Sequence, residues 1–341
     1  MFGKKILLKK SEFATGIDIG NFSVKVVCIS RKNEAVNLES FGYSKIDNNK
    51  PDGLVEAIKS ACLEAKLADK KVNSSIAPEG VIVRYLLLPQ MNSDELSRAM
   101  EFEIERYVPF DKNDVVSDYV VIKEMPDTKN IKVLLVAAKK DFVENRVKIL
   151  KEAGLEPEVI TIDSLVLKNV FQINYPNKNN KTIGLINIGA KVSNINIVRD
   201  STSYFMRDVQ LGGDSITQLL KEKLEINLDD AEKLKCTLDP EDKEKFKIIE
   251  PVLGNLLNES YLSFDYYESE FGMIVDEVFL SGGSVKLAWL VNFLKENLNR
   301  DVTIVNSINN IKIVSNVSSQ RLETLSSSLV VPIGLALESF S

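Results

Sequence analysis

Between residues 14 and 46 apolar and polar side chains alternate with a period of two in three stretches, TGIDIG, SVKVVCIS and AVNLESFGYSKI. Such alternation, rich in β-branched residues, predicts three strands joined by tight turns. The period lengthens after Gly53, where Leu54, Ile58, Ala61, Cys62 and Ala65 fall on one helical face of residues 53–68. A strand, KVNSSIAP, comes next, and then VIVRYLLLP, ended by Pro89. Asn92 with Glu95 three positions later has the form of a capping box and opens a helix, DELSRAMEFEIERYV, that Pro109 stops. Its inward face is Leu96, Met100 and Ile104, with Tyr107 or Val108. Two strands joined by PDTKN, SDYVVIKEM and KVLLVAAKK, lead to a helix, DFVENRVKILKEAG, with Phe142, Val143, Val147 and Leu150 inward and Gly154 at its end. Residues 79–160 therefore read as a strand–helix–strand–strand–helix unit set into a longer pattern, because VITIDSLVLKNVFQI resumes it with a strand and a helix.

The polar stretch YPNKNNK then marks a boundary. Beyond it GLINIGAKVSNINIV repeats the form of IDIGNFSVKVV: strand, glycine turn, hydroxyl residue, strand, with Asn187 where the first copy has Asp18. Two such copies imply two related halves facing each other across a cleft. Residues 213–271 are mostly helical, DEVFLSGGSVKLAWLVNFLKENL is a strand, a Gly-Gly turn and a helix, and QRLETLSSSLVVPIGLALES closes the chain as a helix interrupted or begun at Pro332.

Composition narrows the chemistry. A length of 341 residues exceeds what one core usually organises and points to two lobes. A net charge of −6 argues against a nucleic-acid partner. There is no histidine, which removes imidazole general bases, the triads built on them and most zinc sites. Cys28, Cys62 and Cys236 lack metal-ligand spacing and read as small reduced core residues. No run approaches the roughly 20 apolar residues of a membrane-spanning helix. The N-terminal MFGKKILLKK is basic, and its apolar part, Ile6 to Leu8, is too short for a secretory signal. It reads as a frayed start, with a graze along an anionic membrane or a partner as the other possibility.

The duplicated turns suit a phosphate-bearing ligand. Glycine lets backbone come close to phosphate oxygens, and a tight turn points successive N–H groups at them. In the first copy Gly20 and Asn21 make the turn, Ser23 and Lys25 add donors, and Asp18 is placed to hold the water shell of Mg²⁺. Gly282, Gly283 and Ser284, between a strand and a helix, suit an adenosine or phosphate against backbone. Glu232 and Lys235, three apart on one helix face, are either a solvated pair or a clamp on purine and ribose.

The order IDIG, NIG, GGD, AEKLK and LSGG resembles the actin and heat-shock-chaperone ATPase superfamily. Within it, RYLLLPQMNSDELSRAMEFEIERYVPF, LLVAAKKDFVENRVKILKEAGLEPEVITID and LNESYLSFDYY resemble the PilM family of cytoplasmic actin-like proteins of type IV pilus assembly, over residues 14–340. The related FtsA proteins end in a basic amphipathic membrane helix, whereas this chain has no Lys or Arg after Arg321. The resemblance implies an α/β, actin-like (ribonuclease-H-like) two-lobe fold with a duplicated βββαβα core and an inserted α+β subdomain. The first lobe would comprise residues 11–78, 161–180 and 325–341, the partner-binding insert 79–160, the second lobe 181–212 and 272–324, and a helical cleft subdomain 213–271.

The resemblance further implies ATP with Mg²⁺ in the cleft, at the cytoplasmic face of the inner membrane. Carried over by position, Asp18, Gly20, Asn21, Ser23 and Lys25 form the first phosphate hairpin, Gly189, Ala190 and Ser193 the second, and Gly213, Glu232, Lys235, Gly282, Gly283 and Ser284 surround ribose and base. The family's partner is the N-terminal tail of the inner-membrane protein PilN, held in a groove formed by the insert and the first lobe and linked through it to motor and platform components. Tyr85, Leu87, Met100, Ile104, Tyr107 and Phe110 are the residues expected to line that groove. One departure stands out: relatives carry Asp at Asn187, and an amide neither charges Mg²⁺ nor takes a proton from water. Slow or absent turnover is therefore expected, with Asp18 and Asp163 the candidate catalytic carboxylates. An FtsA-like membrane filament and a small-molecule kinase of the same superfamily are the competing readings.

Overall fold

The computed structural model describes residues 12–33, 35–76, 78–314 and 319–340. The basic segment at residues 1–10 lies outside them. The first half contains β1 (Phe13–Ile19), β2 (Ser23–Lys32), β3 (Ala35–Lys45), α1 (Gly53–Glu64), β4 (Lys71–Ile76), β5 (Val81–Pro89), α2 (Ser93–Tyr107), β6 (Val115–Met125), β7 (Asn130–Lys139), α3 (Lys140–Glu152), β8 (Glu156–Ile162) and α4 (Asp163–Asn174). The second contains β9 (Ile183–Ile188), β10 (Ser193–Arg199), β11 (Thr202–Val209), α5 (Gly213–Leu224), α6 (Leu228–Thr237), α7 (Lys243–Phe271), β12 (Glu277–Ser281), α8 (Ala288–Asn297), β13 (Asp301–Ile304), β14 (Lys312–Ile313), α9 (Ser319–Leu325) and α10 (Val330–Leu337).

The duplication seen in the hairpins extends to whole sheets. One sheet runs β14-β3-β2-β1-β4-β8 and the other β11-β10-β9-β12-β13, so five strands follow the same order in both. In each, two antiparallel pairings are followed by parallel ones, which need helical crossovers. Each half thus adds a fifth strand, β8 or β13, to the expected βββαβα unit.

The two sheets share a core. α4 and α10 lie between them, and Val166, Val170, Ile333 and Leu335 are buried together with Ile29 of the first sheet and Leu185 and Phe279 of the second. All eight residues of α10 are buried, and Pro332 sits in its first turn, where a missing N–H costs nothing. Gly16 explains how closely this helix packs: a Cβ there would lie 2.0 Å from the carbonyl oxygen of Pro332. The outer face of the first sheet is covered by α1, whose Ala57, Ile58 and Ala61 bury against Ile17 and Val26. α5 to α8 cover the outer face of the second. No helix among the described residues is long and apolar enough to cross a membrane.

Two expected boundaries move. The insert was expected to reach residue 160, but α3 and β8 belong to the first lobe: β8 pairs in parallel with β4, and Leu150 and Leu155 bury in the core under α1. An amphipathic helix does not reveal which sheet it covers. The second lobe was expected to reach residue 324, but β14 pairs with β3 of the first sheet, and Arg321 of α9 pairs with Glu64 of α1.

The insert proper is a three-stranded antiparallel sheet, β5-β7-β6, with α2 on one face. The capping box forms: Asn92 Oδ1 accepts from the N–H groups of Asp94 and Glu95, and Glu95 accepts from the N–H of Asn92. This arrangement corrects part of the expected partner surface. Met100 is 1% exposed in the insert's core, with Ile104 and Phe110 packed against it and Lys139 over the Phe110 ring. Tyr85 points from the other face of the sheet into the second lobe, stacked on Phe205 with ring centroids 6.0 Å apart. The dock is completed by Lys132, which reaches Glu270 at 2.6 Å and lies over Phe271. Leu87 and Tyr107 remain exposed, as do Phe102 on α2 and Val116 and Val120 on the edge strand β6. Periodicity finds the apolar face of a strand but not whether a neighbouring lobe already covers it.

Candidate functional site

A cleft of about 600 Å³ opens between the two hairpins and is bounded by α6 and by the Gly282–Gly283 turn. Its walls include Asp18, Gly20, Asn21, Ser23, Lys25, Asp163, Asn187, Gly189, Ala190, Gly213, Glu232, Lys235, Gly282, Gly283 and Ser284. The fold thus brings together every residue expected around the nucleotide except Ser193.

The hairpin turns are built alike. Gly20 N–H donates to Ser23 O at 3.2 Å, and Gly189 N–H donates to Val192 O at 3.0 Å. Ile19 pairs with Val24 and Ile188 with Ser193, so both turns hold four residues. This register corrects Ser193. It matches Val24, one position past Ser23, and a one-residue step along a strand reverses the side chain's face. Its hydroxyl is buried and donates to Leu211 O at 2.6 Å, away from the cleft.

The same register shows that the change at Asn187 is a change of a pair. Asp18 faces Lys25 across the first hairpin, with Lys25 Nζ 2.7 Å from Asp18 Oδ2 and both side chains little exposed. Asn187 faces Asn194 in the second, and Asn187 Nδ2 donates to Asn194 Oδ1 at 2.9 Å. A charged pair has been exchanged for a neutral one, so neither copy leaves an uncompensated buried charge. The amides also extend a chain of donors. Ser281 Oγ donates to Asn187 Oδ1 at 3.2 Å, Asn194 Nδ2 donates to Asp208 Oδ1 at 2.7 Å, and Ser164 Oγ donates to that same oxygen at 2.5 Å. Asn187 therefore holds the second hairpin to β12.

Asp163 is the first residue of α4, placed in the cleft by the end of β8. Its Oδ1 is buried with no hydrogen-bond partner. Burial, reinforced by the Asp18 charge and opposed by the Ser75 hydroxyl, pushes its carboxyl up to about 7. Such a group accepts a proton near neutral pH. Burial also raises Asp208, against the hydrogen bonds from Asn194 and Ser164. Asp214, at the N-terminus of α5, is raised by burial too, against the pull of Lys235.

The far end of the cleft is pre-assembled. Lys235 Nζ donates to Glu232 Oε2 at 2.6 Å and to Gly213 O at 3.3 Å, while Thr217 Oγ1 donates to the same Glu232 oxygen at 2.6 Å. Trp289 Nε1 donates to Lys235 O at 3.1 Å, fixing α6 against α8. Ser284 Oγ donates to Gly189 O at 2.9 Å and ties the third turn to the second hairpin. Gly282 has φ +100°, and a Cβ there would lie 2.3 Å from Ile188 O, so only glycine fits.

Several cleft residues carried no local signal in the sequence. Arg146 comes from the middle of α3, Glu79 from the neck of the insert, and Lys286 from the turn after Gly283. Cys236, expected in a core, is exposed at the cleft wall, whereas Cys28 and Cys62 are partly buried and burial raises both thiols, Cys62 to about 11. Among the described residues no three carboxylate, cysteine or histidine side chains cluster closely enough to hold a metal ion by themselves. The unpartnered Asp163 Oδ1 and the carboxylate of Asp18 are the oxygens that would hold a hard cation keeping most of its water.

Two repeated five-stranded halves, a shared helical core and a cleft between paired glycine hairpins define an actin-like protein. The chain matches the family described as type IV pilus assembly protein PilM over residues 16–340, and it belongs to that family. Among solved structures it is similar to a PilM-PilN type IV pilus biogenesis complex, with 23% identity over 97% of this chain and 99% of that one and a TM-score of 0.86. It is also similar to the ethanolamine utilization protein EutJ from Carboxydothermus hydrogenoformans, with 12% identity over 95% and 89% of the two chains and a TM-score of 0.54.

Proposed function

We propose that this protein is a nucleotide-binding scaffold of type IV pilus assembly. It takes ATP in the interlobe cleft, where Asp18 would hold an accompanying Mg²⁺, and holds the N-terminal tail of a PilN-like inner-membrane protein on its insert. Through that tail it stands at the cytoplasmic face of the inner membrane and links the motor and platform components to the membrane complex. The observation that carries the nucleotide reading is the pair of in-register glycine hairpins facing one cleft with Gly282–Ser284. Family membership and the likeness to a PilM-PilN complex support the partner.

The chain's own groups account for binding better than for turnover. The turns offer backbone N–H groups, and Glu232 and Lys235 form one wall. A bound Mg²⁺ would neutralise phosphate charge, but the second hairpin gives it an amide already engaged with Ser281 and Asn194. Turnover is therefore slow or absent, and the nucleotide acts as a ligand that holds the lobes together. Titration with ATP and Mg²⁺ is expected to raise the melting temperature in proportion to the logarithm of ligand concentration above Kd. No shift and no binding at millimolar ATP would discard the nucleotide reading.

The tail reading has its own test. Leu87 and Val120 lie on the same face of the insert sheet, at positions the second lobe leaves exposed. Leu87→Asp and Val120→Asp are expected to lower affinity for a PilN tail peptide at least about tenfold, with folding stability changed by roughly 0.5 kcal/mol or less. Met100→Ala should instead destabilise the fold by about 2–5 kcal/mol. Unchanged peptide affinity in both Asp variants would place the tail elsewhere.

A further inference from the structure

The cations around the cleft differ in how they are satisfied. Lys25 is held by Asp18 at 2.7 Å and Lys235 by Glu232 at 2.6 Å. Lys191 is exposed, Lys233 lies 3.4 Å from Asp230, and Lys286 stays exposed although partial burial lowers its ammonium's pKa. Arg146 is neither: it lines the cleft half-buried and has no hydrogen bond or ion pair with any described residue. α3 packs on β4 and β8, whose C-terminal ends bring Ser75 and Asp163 to the cleft, so Arg146 belongs to the hairpin end and not to the Glu232–Lys235 end; burial lowers its pKa, against the charges of Asp163 and then Asp18. Those carboxylates offset part of the cost of withdrawing the guanidinium from water but neither bonds to it, so a ligand anion that does would stabilise it further. Its planar fork also matches phosphate oxygens in pairs.

We propose that Arg146 binds the outermost phosphate of a nucleoside triphosphate and is the residue by which this cleft distinguishes triphosphate from diphosphate; this rests on the nucleotide reading above. α3 is held from both sides for the task. Leu150 anchors it in the first-lobe core, and Phe142, one turn before Arg146 on the same face, lies so close to Gly80 that a Cβ there would be 2.4 Å from the ring. The arginine is thus fixed relative to both the first lobe and the neck of the insert.

The test compares ATP and ADP affinities, by titration calorimetry, for the full-length wild type, Arg146→Lys and Arg146→Met. Wild type is expected to prefer ATP. Arg146→Met should weaken ATP binding by about 10- to 100-fold, the worth of a charge-assisted contact, and change ADP binding by less than about threefold. Arg146→Lys should recover part of the preference. Nucleotide-free Arg146→Met should also melt higher than wild type, because a half-buried charge without a bonded partner has been removed. An unchanged ATP-to-ADP ratio, or equal loss for both, overturns the assignment while leaving nucleotide binding intact. A lower melting temperature of the nucleotide-free Met variant also overturns it, since the arginine would then be a structural support. Binding of neither nucleotide by wild type would instead remove the nucleotide reading itself.

Discussion

Asp18→Asn is expected to lower the stability of the nucleotide-free protein by about 3 kcal/mol, the cost of leaving a partner of a little-exposed ion pair alone. The pair is Asp18 with Lys25, directly opposite across the first hairpin, 2.7 Å apart and with side chains 12% and 13% exposed. The asparagine keeps the shape and removes the charge, so the cost falls on the Lys25 ammonium. Lys25→Met should be destabilising for the mirror-image reason. The double variant, with neither charge, should return to within about 1 kcal/mol of wild type, and chemical denaturation of the four proteins reads this as a coupling energy. Additive losses would mean that the two groups do not depend on each other. The experiment also bears on how activity data should be read: loss of ATP hydrolysis in an Asp18 variant identifies a catalytic role only if that variant is still folded at the assay temperature.

The second large effect is a pH dependence set by Asp163. Its folded carboxyl titrates at about 7 because burial and the Asp18 charge oppose ionisation, whereas an unfolded aspartate titrates near 4. A raised pKa means that the stabilising contribution is fully present below about pH 4, is lost as pH climbs towards 7, and changes no further above it. Asp163→Asn has no such titration. Relative to wild type it should therefore gain on the order of 2–3 kcal/mol of stability between pH 5 and pH 8. Denaturation curves at the two pH values test this, and parallel behaviour of the two proteins would show that the carboxyl is ionised throughout. If Asp163 also takes a proton during any slow ATP hydrolysis, the residual rate should rise with pH through the same window and vanish in the Asn variant.

Much of this site was legible before any tertiary contact was known. The glycine turns, the matching strand pairs and the Gly-Gly turn after β12 are short local patterns whose backbone requirements are specific. The capping box at Asn92 and Glu95 formed for the same reason. What failed was mostly a question of facing. Ser193 was matched to Ser23 by residue type, but strand register puts it opposite Ile188 and turns it inward. Tyr85 and Met100 were expected in the partner groove, yet one docks on the second lobe and the other is buried between α2 and the insert sheet. Arg146 looked like any charged residue on an amphipathic helix.

The sequence by itself determined the elements, the duplication that arranges them twice, and the residues of the glycine hairpins, because period and turn chemistry act over a few neighbouring residues. Only the tertiary structure decided which sheet received α3 and β14, which apolar faces stayed exposed, and which charges were left without partners. Those outcomes depend on what covers a residue from a distant part of the chain. The exchange of Asp18–Lys25 for Asn187–Asn194 belongs to both levels. Its letters stand in the sequence, but register alone shows that they form pairs, and burial explains why both members change together.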